Sequence, residues 1–291
     1  MADTPSSNDI PIEAWNTVLF EKFVRFRRVL TSGLEEHGDA ALRQCAFAPG
    51  QRVIDIGCGF GDTTQAIARM LGPSGQAVGV DCAANFIARA TEEAKQAGAS
   101  NASFLVADVQ SDDLRGPYHH GFARFGTQFF NLPGAAMRNI ARALEPGGTF
   151  TMVVWRKRED NPWLYDAEQV ARELVPVVAH EDTDQVHCGP GPFSMAGPDM
   201  VSAMMQSAGF RRVRFERHDC DICIGANMDE AVEFAMALGP AGEIIRLAGE
   251  EGARRKPMVA EALRALFARN RRGEEVWGAS SSWIVSAERA G

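Results

Sequence analysis

The chain has 291 residues, 45% hydrophobic and 23% charged, enough for one large α/β domain or a core with a modest cap. A formal net charge of −8 opposes a nucleic-acid partner, because gripping a polyanion takes a basic footprint. No run approaches the roughly 20 apolar residues that span a bilayer, residues 1–10 lack a signal-peptide pattern, and six scattered cysteines form no disulfide framework; a cytoplasmic protein without a membrane partner is expected.

In residues 14–30, Trp15, Val18, Leu19, Phe23, Phe26 and Leu30 recur at helical spacing. This predicts one amphipathic helix that packs on the core or covers a ligand. An alternating series follows: strands at 52–56, 77–80, 102–106, 122–125 and 149–155, with helices at 62–71, 83–97 and 135–144. Gly72-Pro73-Ser74-Gly75, Gly98 and Pro146-Gly147-Gly148 punctuate it. Beyond Trp155 the spacing predicts helices at 162–175 and 199–208, with a Gly/Pro-rich loop at 186–198 between them. Strands are expected at 212–224 and 276–287. Between these lie two helices, 229–238 and 257–270, the first capped by Asn227 with Glu230 three residues on.

Strands alternating with helices call for a doubly wound α/β sheet, mostly parallel and helix-covered on both faces. The expected organisation is an N-terminal helical segment (1–50), a core (51–155), a cap insertion (156–198), the core continued (199–224), a second cap insertion (225–273) and a last core strand (274–291). The cap would cover the carboxyl edge of the sheet, where such folds bind ligands.

The chemistry concentrates in Asp55-Ile56-Gly57-Cys58-Gly59-Phe60-Gly61, between the first strand and its helix. Gly57 permits a tight turn, Gly59 lets a ligand approach the backbone, and Gly61 allows close helix–strand packing. A dinucleotide fingerprint needs a third glycine where Asp62 stands, and a carboxylate at that helix start repels pyrophosphate. Asp81 ends the second strand, placed to accept bonds from both ribose hydroxyls. Asp108 ends the third, placed to accept from an exocyclic amine such as adenine N6. Asp55 orients the glycine turn or faces a ligand's ammonium group. Single acids at turns are commonplace, but three at successive strand ends converge on a nucleoside.

These residues, with Gly79-Val80-Asp81, Ala107-Asp108-Val109, Arg124-Phe125-Gly126 and Leu144-Glu145-Pro146-Gly147-Gly148, resemble the class I S-adenosylmethionine (SAM) dependent methyltransferases, in particular the ubiquinone/menaquinone-biosynthesis-like small-molecule branch. The resemblance covers residues 51–155. It implies a Rossmann-like, seven-stranded, mostly parallel sheet with an antiparallel last strand. It also implies a SAM site made of Asp55, Gly57, Cys58, Gly59, Gly61, Asp81, Cys82, Asp108, Val109, Arg124 and Phe125. In that family the glycine turn cradles the methionine portion, the acid at Asp81 holds the ribose, and Asp108-Val109 frames the adenine. Residues matching Arg124-Phe125 lie beside the methionine amino group, often through backbone carbonyls. Where family members commonly carry Phe-Asp, this chain has Tyr118-His119-His120. Both histidines precede the fourth strand, at the edge opposite the crevice.

The methyl on a positive sulfur is already electrophilic, so transfer needs positioning and water exclusion, and a base only where the nucleophile must lose a proton. Gln128, Trp155 and Trp163 are expected near a small, fairly apolar methyl acceptor, and His187 is the one histidine worth testing as a base. Cys220-Asp221-Ile222-Cys223 lies within a predicted strand, where residues three apart face opposite ways, and no metal is expected. The alternatives are a non-catalytic SAM-binding regulator or partner subunit and, disfavoured by Asp62, an NAD-linked oxidoreductase.

Overall fold

A computed structural model describes residues 9–176 and 190–291. The amino-terminal stretch is a broken path: α1 (Asp9–Ala14), a π-turn (Trp15–Leu19), α2 (Phe20–Arg25) and α3 (Arg27–Leu30), then α4 (Glu35–Leu42). This corrects the single helix expected over 14–30. Phe26 leaves helical geometry (φ −101°, ψ 22°) because its ring turns into the main core against Phe234, whereas Phe20 and Phe23 pack on Phe86. One straight helix could not serve both clusters.

The alternating series follows as β1 (Arg52–Ile56), α5 (Asp62–Leu71), β2 (Gln76–Asp81), α6 (Ala84–Gln96), β3 (Ala102–Val106), β4 (Tyr118–Arg124), α7 (Pro133–Ala143) and β5 (Leu144–Trp155). Next come α8 (Pro162–Leu174), α9 (Pro198–Ser207), β6 (Phe210–Gly225), α10 (Met228–Ala237), α11 (Pro240–Leu247), α12 (Gly249–Phe267), β7 (Arg271–Arg272) and β8 (Glu275–Arg289). The sheet order is β3-β2-β1-β4-β5-β8-β6. β1 to β5 pair in parallel, and β8 runs antiparallel to both β5 and β6. The antiparallel last strand is as expected; the two-residue β7, paired with β8, is an eighth strand beyond the seven.

Other departures from expectation have identifiable reasons. β4 starts at Tyr118, so His119 and His120 lie inside it rather than ahead of it. His119 Nδ1 accepts from the Arg52 amide at 3.0 Å, and His120 bonds Thr149 Oγ1 at 2.6 Å and Gln51 Oε1 at 2.9 Å. Both are spoken for at the start of β1, far from the carboxyl edge. The second insertion holds three helices instead of two: Gly239 (φ 84°) with Pro240 at a first turn starts α11, and α12 runs through Pro257.

Strand alternation splits the core over the two faces. Val53, Phe122, Val153 and Ile284 pack under α4, α5 and the cap helices, while Ile54, Ile56, Ala123 and Met152 pack under α7 and α9. Within the cap, α8 packs on α11 and α12, and α10 on both of these. Asn227 caps α10, its side chain accepting from the Glu230 amide at 2.9 Å. Asn227→Ala is expected to cost about 1 kcal/mol of stability, read from the denaturant midpoint, because it orphans that amide.

Candidate functional site

The strand order reverses between β1 and β4, and there the Gly57–Gly61 turn meets the turn at Gly126. Two of the glycines have different reasons to be glycine. At Gly61 (φ +77°) a Cβ would come within 2.6 Å of the Phe104 ring and 3.0 Å of Ala90, so helix α5 sits close on the sheet. At Gly59 (φ +53°) a Cβ would meet nothing within 4 Å: this backbone faces open space. The turn is pinned from β2, with Val80 O accepting from the Gly57 and Cys58 amides at 2.8 and 3.0 Å.

Asp81, at the tip of β2, reaches into the same space. Its Oδ2 accepts from Gly59 N and its Oδ1 from Ala83 N, each at 3.0 Å. A carboxylate has about four acceptor positions, so these bonds leave capacity for a hydroxyl donor. Burial pushes the Asp81 pKa up, against the pull of its backbone donors. Beside it the Ala107 amide donates to Asp81 O at 3.0 Å, which sets Asp108 one strand over. Asp108 Oδ1 accepts from the Gln110 amide and from its side chain at 3.0 Å, and Val109 is buried. Burial raises the thiols of Cys58 and Cys82, so both stay protonated.

Asp55 meets helix α5. It is buried and accepts from Thr64 Oγ1 at 2.6 Å, tying β1 to α5. Burial raises its pKa to about 7, opposed by the Thr64 bond and by the charge on Arg124. The folded chain therefore keeps a proton that the unfolded chain loses near pH 4. That contribution to stability is complete below pH 4 and disappears as pH rises through 7. In Asp55→Asn the fall in melting temperature from pH 4 to pH 8 is expected to be shallower than in the parent. Equal slopes would mean that Asp55 is ionised throughout.

Arg124 and Phe125 close the other side. The Arg124 guanidinium donates to Thr31 O at 3.3 Å, and its chain lies so close to α4 that a Cβ on Gly38 would sit 2.7 Å from its Cδ. It floors a cleft of about 230 Å³ between α4 and α5, with Asp62 and Glu35 on the walls. Phe125 has a left-handed backbone (φ 59°), strained for an aromatic residue, and stacks on Trp155 at 4.0 Å. Trp155 meets Trp163 at 5.8 Å, and Trp163 stacks on Phe234 at 6.0 Å, carrying an aromatic run from the sheet edge into the cap. Gln128 is buried and accepts from the Trp155 amide at 3.3 Å, so it braces β4 to β5. His187 lies outside the described residues.

The structure also brings in the amino-terminal segment, and with it residues such as Phe20, Arg27, Arg28 and His37 that the sequence did not single out. Trp15 packs edge-on against Phe129 at 5.1 Å, beyond β4, and Phe20 lies 6.2 Å from Phe60 of the glycine turn, so the amino-terminal segment roofs the crevice. Arg27 pairs with Glu93 (2.5 Å) and with Asp62 (3.1 Å), while Arg28 pairs with Glu230 of the cap (2.7 Å). His37 is fully buried on α4, edge-on to Phe125 and Trp155, its Nδ1 2.8 Å from Ser282 Oγ and its Nε2 2.7 Å from Ser280 Oγ. Burial, helped by the neighbouring His218, holds its pKa down at about 3. Its helix carries a central glycine and weak apolar periodicity, so little in the sequence marked it.

Comparison with known proteins accords with this geometry. A family model described as a methyltransferase domain matches residues 48–185. The ubiquinone/menaquinone biosynthesis C-methyltransferase UbiE of Pseudomonas aeruginosa is 28% identical over 174 residues, 57% of this chain and 67% of that protein. The 2-phytyl-1,4-naphtoquinone methyltransferase of Synechococcus elongatus is 32% identical over 150 residues, 49% of this chain and 62% of that protein. In fold, the chain is similar to the YcgJ protein of Bacillus subtilis, with a TM-score of 0.58 at 16% identity, covering 88% of this chain and 99% of that one.

Proposed function

We propose that this chain is a class I SAM-dependent methyltransferase, that the crevice over β1, β2 and β4 is its cofactor site, and that the acceptor is a small, fairly apolar molecule with a planar ring of the quinone type. The observation that carries this is the pairing of an open backbone at Gly59 with the Asp81 carboxylate bonded to that same amide. A ribose laid over Gly59 meets the Asp81 carboxylate, with Asp108 one strand away for the adenine amine. Asp62, ion-paired to Arg27, sets a carboxylate at the start of α5, where a dinucleotide would place its pyrophosphate.

SAM supplies, when bound, a methyl group on a cationic sulfur that a nucleophile takes by in-line displacement. The chain's own work is orientation. Gly57 to Gly61 and the β4 tip at Arg124-Phe125 fix one partner, and Phe125, Trp155 and Trp163 offer flat apolar surface to the other. The roof from Trp15 to Phe23 excludes water, which strengthens every dipole inside. Such positioning alone supplies on the order of 7–11 kcal/mol of a transfer barrier. Calorimetric titration tests the reading: SAM and S-adenosylhomocysteine are expected to bind at one site, and NAD not at all. NAD binding without SAM binding would overturn it.

A further inference from the structure

We propose that His37, His218 and Cys220 form a metal site that takes a zinc-class divalent ion and fastens α4 to the edge strand β6. The site is independent of the methyl-transfer reading.

Three observations carry it. The imidazole nitrogens and the thiol come from two elements far apart in sequence, yet all three donor atoms lie within 4.8 Å of one another. Cys220 Sγ is 3.4 Å from His37 Nε2, against about 3.6 Å for the N–S edge of a tetrahedral zinc site with ordinary bond lengths. His218 and Cys220 stand two apart on β6, hence on one face, and that face meets α4. Most tellingly, His218 Nε2 is buried with no hydrogen-bond partner among the described residues. An orphaned ring nitrogen in the core costs free energy unless something accepts its lone pair or its proton.

The surrounding hydroxyls suit such an exchange. Ser280 donates its proton to Cys220 O at 2.7 Å, so toward His37 it can only accept, and Nε2 carries the ring proton. An ion at Nε2 would shift that proton to Nδ1, where Ser282 Oγ at 2.8 Å becomes the acceptor and holds the ring in place. The Cys220 thiol gives its proton to solvent, so one proton is released per ion bound. Ser280 Oγ, 3.8 Å from Cys220 Sγ, offers an oxygen for the fourth position. Imidazole and thiolate donors together select zinc over magnesium or calcium. The Phe125–Trp155 stack stands between His37 and the crevice, so the ion would fasten helix to strand rather than touch the reacting atoms.

The full chain, stripped with chelator, would be titrated with cobalt(II) as a spectroscopic probe. The expected result is a thiolate-to-cobalt charge-transfer band saturating at one equivalent, bleached by zinc, with a melting temperature that rises with zinc concentration. His218→Ala and Cys220→Ser, checked for fold by circular dichroism, should each lose more than the roughly 100-fold that removal of a supporting group costs. Cys223→Ser, whose thiol bonds Gly225 O instead, should keep the band. No band in the parent chain, or an unchanged band in Cys220→Ser, would overturn the proposal.

Discussion

Valine at position 61 is expected to destabilise the chain by about 2–5 kcal/mol, the largest effect of any single change considered. Two costs add. A β-branched residue forced to φ +77° pays roughly 1–2 kcal/mol in backbone strain, and overpacking a close helix–strand contact pays roughly 1–3 more. The overpacking is specific: the new Cβ would lie 2.6 Å from the Phe104 ring and 3.0 Å from Ala90, and both side chains are held by the sheet and α6. Urea unfolding measures it. A Gly61→Val protein with an unchanged midpoint would show that α5 rides higher on the sheet than described.

Asp81→Ala is expected to weaken SAM binding by about 1–3 kcal/mol, roughly 5- to 150-fold. The loss has two parts: ribose hydroxyls left without an acceptor, and a Gly59 amide released from Oδ2 so that the turn is less well held. Asp81→Asn keeps one acceptor oxygen and should fall between the parent and the alanine variant. Calorimetry on the three proteins reads the series, and identical affinities would remove Asp81 from the site.

Much of this was legible in the sequence because local rules and the fold agreed there. β1 to β3, their helices and the glycine turn follow from short β-branched runs, Gly/Pro punctuation and acids at strand tips, each of which fixes a backbone without help from afar. The missed features are those in which tertiary contact overrides local preference. Helix α4 has Gly38 at its centre, a poor helix former; the position needs glycine because the Arg124 chain passes 2.7 Å from where a Cβ would be. The opening of β4 was hidden by two histidines, satisfied by a backbone amide and by side chains on neighbouring segments. Phe26 breaks a helix that its own periodicity promises, since its ring is worth more in the main core. His37 illustrates the limit most clearly: both hydroxyls that hold it lie some 240 residues downstream, at Ser280 and Ser282.

Among the described residues strand β6 pairs with β8 alone, so its other flank is an open sheet edge, a natural template for a second chain. Arg211, Arg212, Arg214, Glu216, Arg217, Asp219 and Asp221 all stand exposed along it. Docking another strand there would strip water from seven charges at once. The flank that looks most inviting for growth of the sheet is thus the one best defended against it, and crowded or concentrated conditions should not drive the molecule into ribbons through that border.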